Sequence, residues 1–343
     1  SMHHPPCRVL LPALVLGVIL AAIPPAAAAA PSLAGCPLLP ADNIWNTPVD
    51  TLPVAAQSAA YIDTIGRSTT LHPDFGSGTW DGGPIGIPYN VVEAGQGMAT
   101  VSFLYADESD PGPYPIPAAP LIEGGPDADG DRHILIIDRD ACRLYELYDA
   151  RPETSTSWTA GSGAIYYLRA NTLRPDGWTS ADAAGLPILP GLVRYEEVAG
   201  GAVNHALRFT AAHTRNTHLW PARHHASSLA GAQYPPMGQR FRLKAGVDTS
   251  GFSPPVQVIL RAMQKYGLIL ADNGSDWYIS GAPDERWDND ILRELNLLSG
   301  NDFEAVDVSG LILHPDSGQV KPSVLPAGQN LSWLSLLLSS SSP

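Results

Sequence analysis

Apolar and polar positions alternate in short runs along most of this chain, with Gly, Pro, Asn and Asp between the runs. Period-two alternation bounded by turn residues is the pattern of half-buried strands. It predicts strands at 100–105, 133–138, 143–148, 164–168, 192–196, 205–210, 240–244, 268–271 and 276–280. Helical spacing is rarer. It predicts helices over 55–65, 254–266 (with proline in its first turn) and 288–297. Many short strands with a few peripheral helices predict an all-β fold, a sandwich or jelly roll, with a closed β-barrel as the alternative.

The two ends break the pattern. Arg8 precedes an almost uninterrupted apolar run from Val9 to Ile23, and a row of alanines follows. That layout predicts a secretion signal over 1–30, whose apolar run is too short to span a bilayer comfortably. Residues 31–314 then read as a single β-rich catalytic or binding domain. Residues 315–343 read as a Pro/Gly/polar linker and a Ser-rich tail.

Composition extends the exported reading. Cys7 leaves with the signal, so Cys36 and Cys142 remain as an even pair, expected to form a disulfide in an oxidising compartment. The alternative is lipid anchorage through Cys36, because Leu33-Ala-Gly-Cys36 matches a bacterial lipoprotein box. A Pro/Ala spacer separates that box from the apolar run. The net charge is −14, and the only lysines are Lys244, Lys265 and Lys321. With no basic stripe to neutralise phosphates, nucleic acid is disfavoured as a partner. The expectation is a soluble extracellular monomer with no membrane span.

Five of the ten histidines fall between His205 and His225, interleaved with Arg208, Trp220 and Arg223. Histidine titrates near neutral pH and serves as general acid, base or metal ligand. Alternation puts His205, Leu207 and Phe209 on one strand face and Arg208 on the other, directed to solvent or a cleft. Pro221 rules out a central strand, so Trp220, Arg223, His224 and His225 are expected on a loop. Trp220 would stack on a sugar ring, or simply pack in the core. Tyr145 and Tyr148 are further substrate-binding candidates. Glu146, on strand 143–148, and Asp272, at the turn after 268–271, are candidate carboxylates for glycoside hydrolysis, with Asp138 as a third. Asp127-Ala-Asp129-Gly-Asp131 places three carboxylates at alternate positions in a turn, which predicts a structural calcium or a solvated acidic loop. His213 and His218 lack the spacing of a zinc framework, and no other cofactor is required. Gly161-Ser-Gly163 lacks the full nucleophile elbow.

Several segments resemble a group of secreted proteins from soil bacteria. They are Ala41-Asp-Asn-Ile-Trp-Asn-Thr-Pro48, Gly161-Ser-Gly-Ala-Ile165, residues 177–187, Trp220-Pro-Ala-Arg-His224 and residues 270–281. The resemblance spans most of 36–310 and implies one exported domain; it brings no mechanism and no catalytic residues.

These readings converge on a secreted polysaccharide-active enzyme acting on an extracellular glycan, either a glycoside hydrolase or a polysaccharide lyase. In a lyase, His205 or His224 would abstract a proton, Arg208 or Arg223 would neutralise a uronate, and Tyr145 would protonate the leaving oxygen. In a hydrolase, Glu146 and Asp272 or Asp138 would form the carboxylate pair. The alternatives are a noncatalytic glycan-binding or cell-surface protein and, more weakly, a copper or zinc enzyme.

Overall fold

Val, Ile, Leu and aromatic residues crowd the runs that pair, and the computed structural model, which describes residues 30–322, gathers them into two main sheets. The expected signal (apart from Ala30) and the Ser-rich tail lie outside the described residues. The larger sheet has six strands, in the order Phe303–Val306, Arg240–Leu243, Leu268–Asn273, Leu207–Ala211, Tyr278–Ser280 and His72–Asp74. Leu207–Ala211 runs parallel to Leu268–Asn273, and Tyr278–Ser280 parallel to His72–Asp74. The helix Pro254–Lys265 precedes the strand Leu268–Asn273 and buries Val256, Ile259, Leu260 and Met263. Its 3.6-residue periodicity is what the sequence displayed.

The second sheet orders Ser162–Tyr167, Arg143–Tyr148, Ile134–Asp138 and Tyr89–Val92. Both of its faces are buried. Leu135, Ile137, Leu144 and Tyr166 enter the core shared with the six-stranded sheet. Ile134, Ile136, Tyr145 and Leu147 enter a second core with Val101, Tyr114 and Trp158. Burial on both sides explains why Ile134-Leu-Ile-Ile137 is a continuous apolar run rather than an alternating one. The fold is mostly β in several sheets, none of which closes into a barrel.

Local pattern and tertiary pairing part company in places. Residues 192–196, expected as a strand, instead follow a 3-10 turn, Leu189–Gly191, and run into a short helix, Tyr195–Ala199. Pro190 withholds an N–H from any ladder, and Glu196 and Glu197 suit the positive end of a helix. His72–Asp74, Tyr89–Val92, Ser157–Ala160 and Phe303–Val306 are strands without a sequence signal, formed where partners offer their edges. The expected linker is docked from its start. The Val320 side chain is buried, the Gly318 N–H donates to Asn171 O, and Gly318 O accepts from the Ile44 N–H.

Cys36 and Cys142 form a disulfide, tying the hairpin of Ser32–Leu33 and Cys36–Pro37 to the turn after Asp138. Lipid anchorage through Cys36 is thereby corrected, because its sulfur is already bonded. Among the described residues no helix is long and apolar enough to cross a membrane.

Candidate functional site

Strand register builds a polar row on one face of the six-stranded sheet. Tyr278 pairs with His72 and Ser280 with Asp74, while Phe209 pairs with Ile279 on the next strand. Residues in register share a face, so Asp74, Ser280 and Arg208 stand side by side. A bulge between Phe209 and Thr210 then sets Asp272, instead of Ala271, opposite Thr210. Bulges re-aim side chains, and this one turns Asp272 to the face of Arg208.

Arg208 is buried and saturated. Its Nε and Nη2 donate to both Asp182 oxygens at 2.7 and 2.6 Å, Nη1 donates to Ser280 Oγ at 2.6 Å, and Nη2 reaches Asp272 at 3.2 Å. The fork neutralises the wholly buried Asp182 carboxylate. Asp272 is the surplus acid: burial, then the charge of Asp182, pushes its carboxyl well above the usual range against the pull of Arg208.

A second pair lies nearby. His133 Nδ1 meets Glu123 Oε2 at 2.5 Å, and Nε2 donates to Ala181 O at 2.9 Å. With both ring nitrogens facing acceptors, the imidazolium is the form that fits. Burial alone would lower His133, but the charge and hydrogen bond of Glu123 outweigh it and carry the ring to about 10. Burial likewise raises Glu123, yet His133 and Arg208 hold its carboxyl below the usual range.

Of these groups, Asp74 and Glu123 line a cleft of about 740 Å³, together with His72, Trp80, Asp131 and Tyr278 among others. Burial pushes Asp74 upward, with His72 and Arg208 opposing and Glu123 reinforcing, although its side chain still opens to the cleft. His72 stacks on Tyr278 with centroids 4.1 Å apart. Trp80 is 80% exposed at the rim. Its hairpin sits tightly on the Glu123 turn, because a Cβ at Gly83 would lie 2.1 Å from the Gly124 carbonyl group.

Glu123, Asp131 and His133 offer metal-ligating atoms within 4.8 Å of one another. At 2.5 Å, however, the Glu123–His133 contact is a hydrogen bond, and a cation bridging these atoms would need them to part. Of the turn expected to hold calcium, Asp129 and Asp131 line the cleft and Asp127 does not. All three are exposed.

Arg208 and Asp272 come together, and the Tyr148 ring lies 5.8 Å from that of His133. The other expected site residues go elsewhere. Glu146 does share a face with Leu144, but that face is the interior between the sheets. Its carboxyl is fully buried and accepts from the Ile188 and Leu189 N–H groups at 2.9–3.0 Å. Tyr145 is on the opposite, equally buried face. His205 precedes its strand, fully buried, facing Ala206 O at 2.8 Å and Glu197 at 3.2 Å. Trp220 donates Nε1–H to Ser317 O, packing half-buried against the core. Arg223 is buried and spends its guanidinium on Arg174 O, Pro315 O and Asp316. His224 donates Nδ1–H to Ala183 O and does not line the cleft. Asp138 accepts from the Asp140 and Ala141 N–H groups and shapes a turn. His72, Asp74, Trp80, Glu123, His133 and Asp182 were not singled out in sequence. The one signal near them was the acidic turn 127–131, which Glu123 and His133 flank.

Glu146 makes a pH-dependent prediction. Burial raises it to about 7 in the folded chain, against 4.5 as the ordinary value. The folded state therefore holds a proton that the unfolded chain releases, and stability falls as pH rises from about 4.5 through about 7. The loss is on the order of 3 kcal/mol. Glu146→Gln should flatten that part of the profile in urea unfolding at pH 5 and pH 8. An unchanged slope would show that Glu146 ionises freely in the fold.

Comparison of this chain with protein-family models, curated proteins and solved structures finds no match.

Proposed function

We propose that this protein is a secreted glycoside hydrolase acting on an extracellular polysaccharide, with Asp74 as acid and Glu123 as nucleophile or base. The observation that carries the reading is the placement of these two carboxyls in one open cleft with opposite proton preferences. Divergent environments for paired carboxylates are how one site holds an acid and a base together. Asp74 would protonate the glycosidic oxygen as the bond to the anomeric carbon breaks. Glu123, kept ionised by His133, would attack that carbon or take a proton from the incoming water. Trp80 offers an exposed aromatic plane for a sugar ring.

Hydrolysis is favoured over elimination on electrostatic grounds. A lyase needs a free cation for the uronate carboxylate, and both Arg208 and Arg223 are already spent on protein acceptors. With Asp74 protonated, the cleft walls still carry Asp81, Glu123, Asp129 and Asp131 against Arg293, a field that repels uronates. Neutral or amino-sugar polymers fit it. A panel of neutral, cationic and anionic polysaccharides, read for reducing ends and for unsaturated products, tests the proposal. New reducing ends without unsaturated product are expected. Unsaturated product would mean elimination, and binding without turnover would mean a glycan-binding protein.

A further inference from the structure

Three histidines outside the cleft form a row of near-parallel rings. The His218 and His225 centroids are 5.8 Å apart with 25° between planes, and those of His225 and His224 are 5.8 Å apart at 16°. His218 donates Nε2–H to Asp176 Oδ1 at 2.9 Å, and His224 donates Nδ1–H to Ala183 O at 2.8 Å. Between them, Nδ1 of His218 and Nδ1 of His225 meet head-on at 3.4 Å. A hydrogen bond there needs an N–H on one side and a bare nitrogen on the other. A neutral pair supplies it, because His225 donates to the nitrogen that His218 leaves bare. One charge on the pair supplies it too, with the imidazolium as donor. A charge on both rings sets two N–H groups and two like charges against each other, and the contact is lost.

The loop that follows depends on this contact. Upstream, the Arg223 and His224 N–H groups both donate to Ala184 O, and downstream the Asn216 N–H donates to Leu229 O. Between those anchors, residues 225–228 make no main-chain hydrogen bond among the described residues, and the His225 ring is their one polar tie to another segment. We propose that the His218–His225 contact is a pH-sensitive latch, closed at neutral pH and opened in acid, when both rings carry a charge and loop 225–228 is freed. Two carboxylates face the row, Asp176 at His218 and Glu108, 3.7 Å from His224 Nε2. Arg223, next in the chain, is spent on Arg174 O, Pro315 O and Asp316. The carboxylates therefore favour charge on the outer two rings. Burial, then His224 and His218, hold the middle ring below the ordinary value of 6.5. The closed loop thus keeps His225 uncharged, so closure is favoured above that value and lost as pH falls below it. None of these residues lines the cleft, and the latch stands independently of the hydrolase reading.

Limited proteolysis of the full chain between pH 5 and pH 8 tests the latch. The rate of cleavage within residues 225–229 is divided by that of a free peptide spanning 222–232, which removes the protease's own pH dependence. The normalised rate is expected to rise about tenfold from pH 8 to pH 5, the effect of a one-unit difference in proton affinity between closed and open loop. His225→Gln and His218→Gln keep a polar side chain but cannot take the charge, so each should abolish the rise. His213→Gln, at an exposed histidine outside the row, should retain it. Circular dichroism checks each fold. Ring titration by nuclear magnetic resonance gives a second readout, available in the unmutated chain should a variant fold poorly. His225 should titrate below 6.5, and its midpoint should move up in His218→Gln as the facing charge is removed. A normalised rate flat with pH, a rise that survives both glutamine variants, or a His225 that titrates at the ordinary value would overturn the proposal.

Discussion

Asp74→Asn is expected to cut the hydrolytic rate by about 10²–10⁴-fold, the usual worth of a positioned general acid, while leaving thermal unfolding nearly unchanged. The two effects separate because the Asp74 side chain is exposed to the cleft, on a short strand, and makes no hydrogen bond among the described residues. Asparagine keeps the size and removes the proton. The same groups predict an acidic activity profile. The productive form has Asp74 protonated and Glu123 ionised, and Asp74 is raised by burial while His133 and Arg208 hold Glu123 low against its own burial. Activity should therefore rise as Glu123 ionises and fall as Asp74 loses its proton. Glu123→Gln should lose the rate comparably, but it also deprives His133 of its counter-charge, so its unfolding temperature should move as well. Steady-state rates on whichever polymer yields reducing ends, beside melting curves, decide the matter. Full activity in Asp74→Asn would remove it from the reaction.

Opening the Cys36–Cys142 bond should be the largest single loss of stability. The cross-link spans 106 residues, and closing a loop of that length removes unfolded-state entropy worth about 4–5 kcal/mol. Alanine is the suitable replacement at both positions, since both side chains are buried and a serine there would leave its hydroxyl unpaired. The double variant should show a urea midpoint shifted down by that amount relative to the oxidised protein, with dithiothreitol producing a similar shift in the unmutated chain. A change below about 1 kcal/mol would mean that the unfolded chain is already compact enough to make the cross-link redundant. It would equally point to the packing of Leu38, Ile44 and Trp45 as what holds the N-terminal segment in place.

Elements whose reason is local were legible. Arg143–Tyr148 and Pro254–Lys265 lie where periodicity puts them, because a strand face or helix stripe repeats within a few residues. His72–Asp74 was not legible, since three residues with a proline carry no period and become a strand only by pairing with Tyr278–Ser280. Glu146 was misread for a related reason. The local pattern correctly placed it on a strand, but did not show that its face is covered by residues 188–189, more than forty positions away in the chain. The histidine-rich stretch was visible as composition, whereas the division of labour within it was not. His205 is sealed in the interior, His224 is bound to Ala183 O, and the rings of His218, His225 and His224 stand in a row.

The sequence by itself determined a β-rich chain, the cysteines that would meet, and a strand carrying Arg208. It could do so because hydrophobic burial imposes a period that any strand must carry. Only the tertiary structure decided which polar groups converge. The parallel pairing that sets Asp74 beside Ser280, the bulge that swings Asp272 toward Arg208, and the approach of Glu123 to His133 are matters of register and packing between distant segments. A one-residue change of register reverses the face of every side chain in a strand, so no local pattern in the chain specifies them.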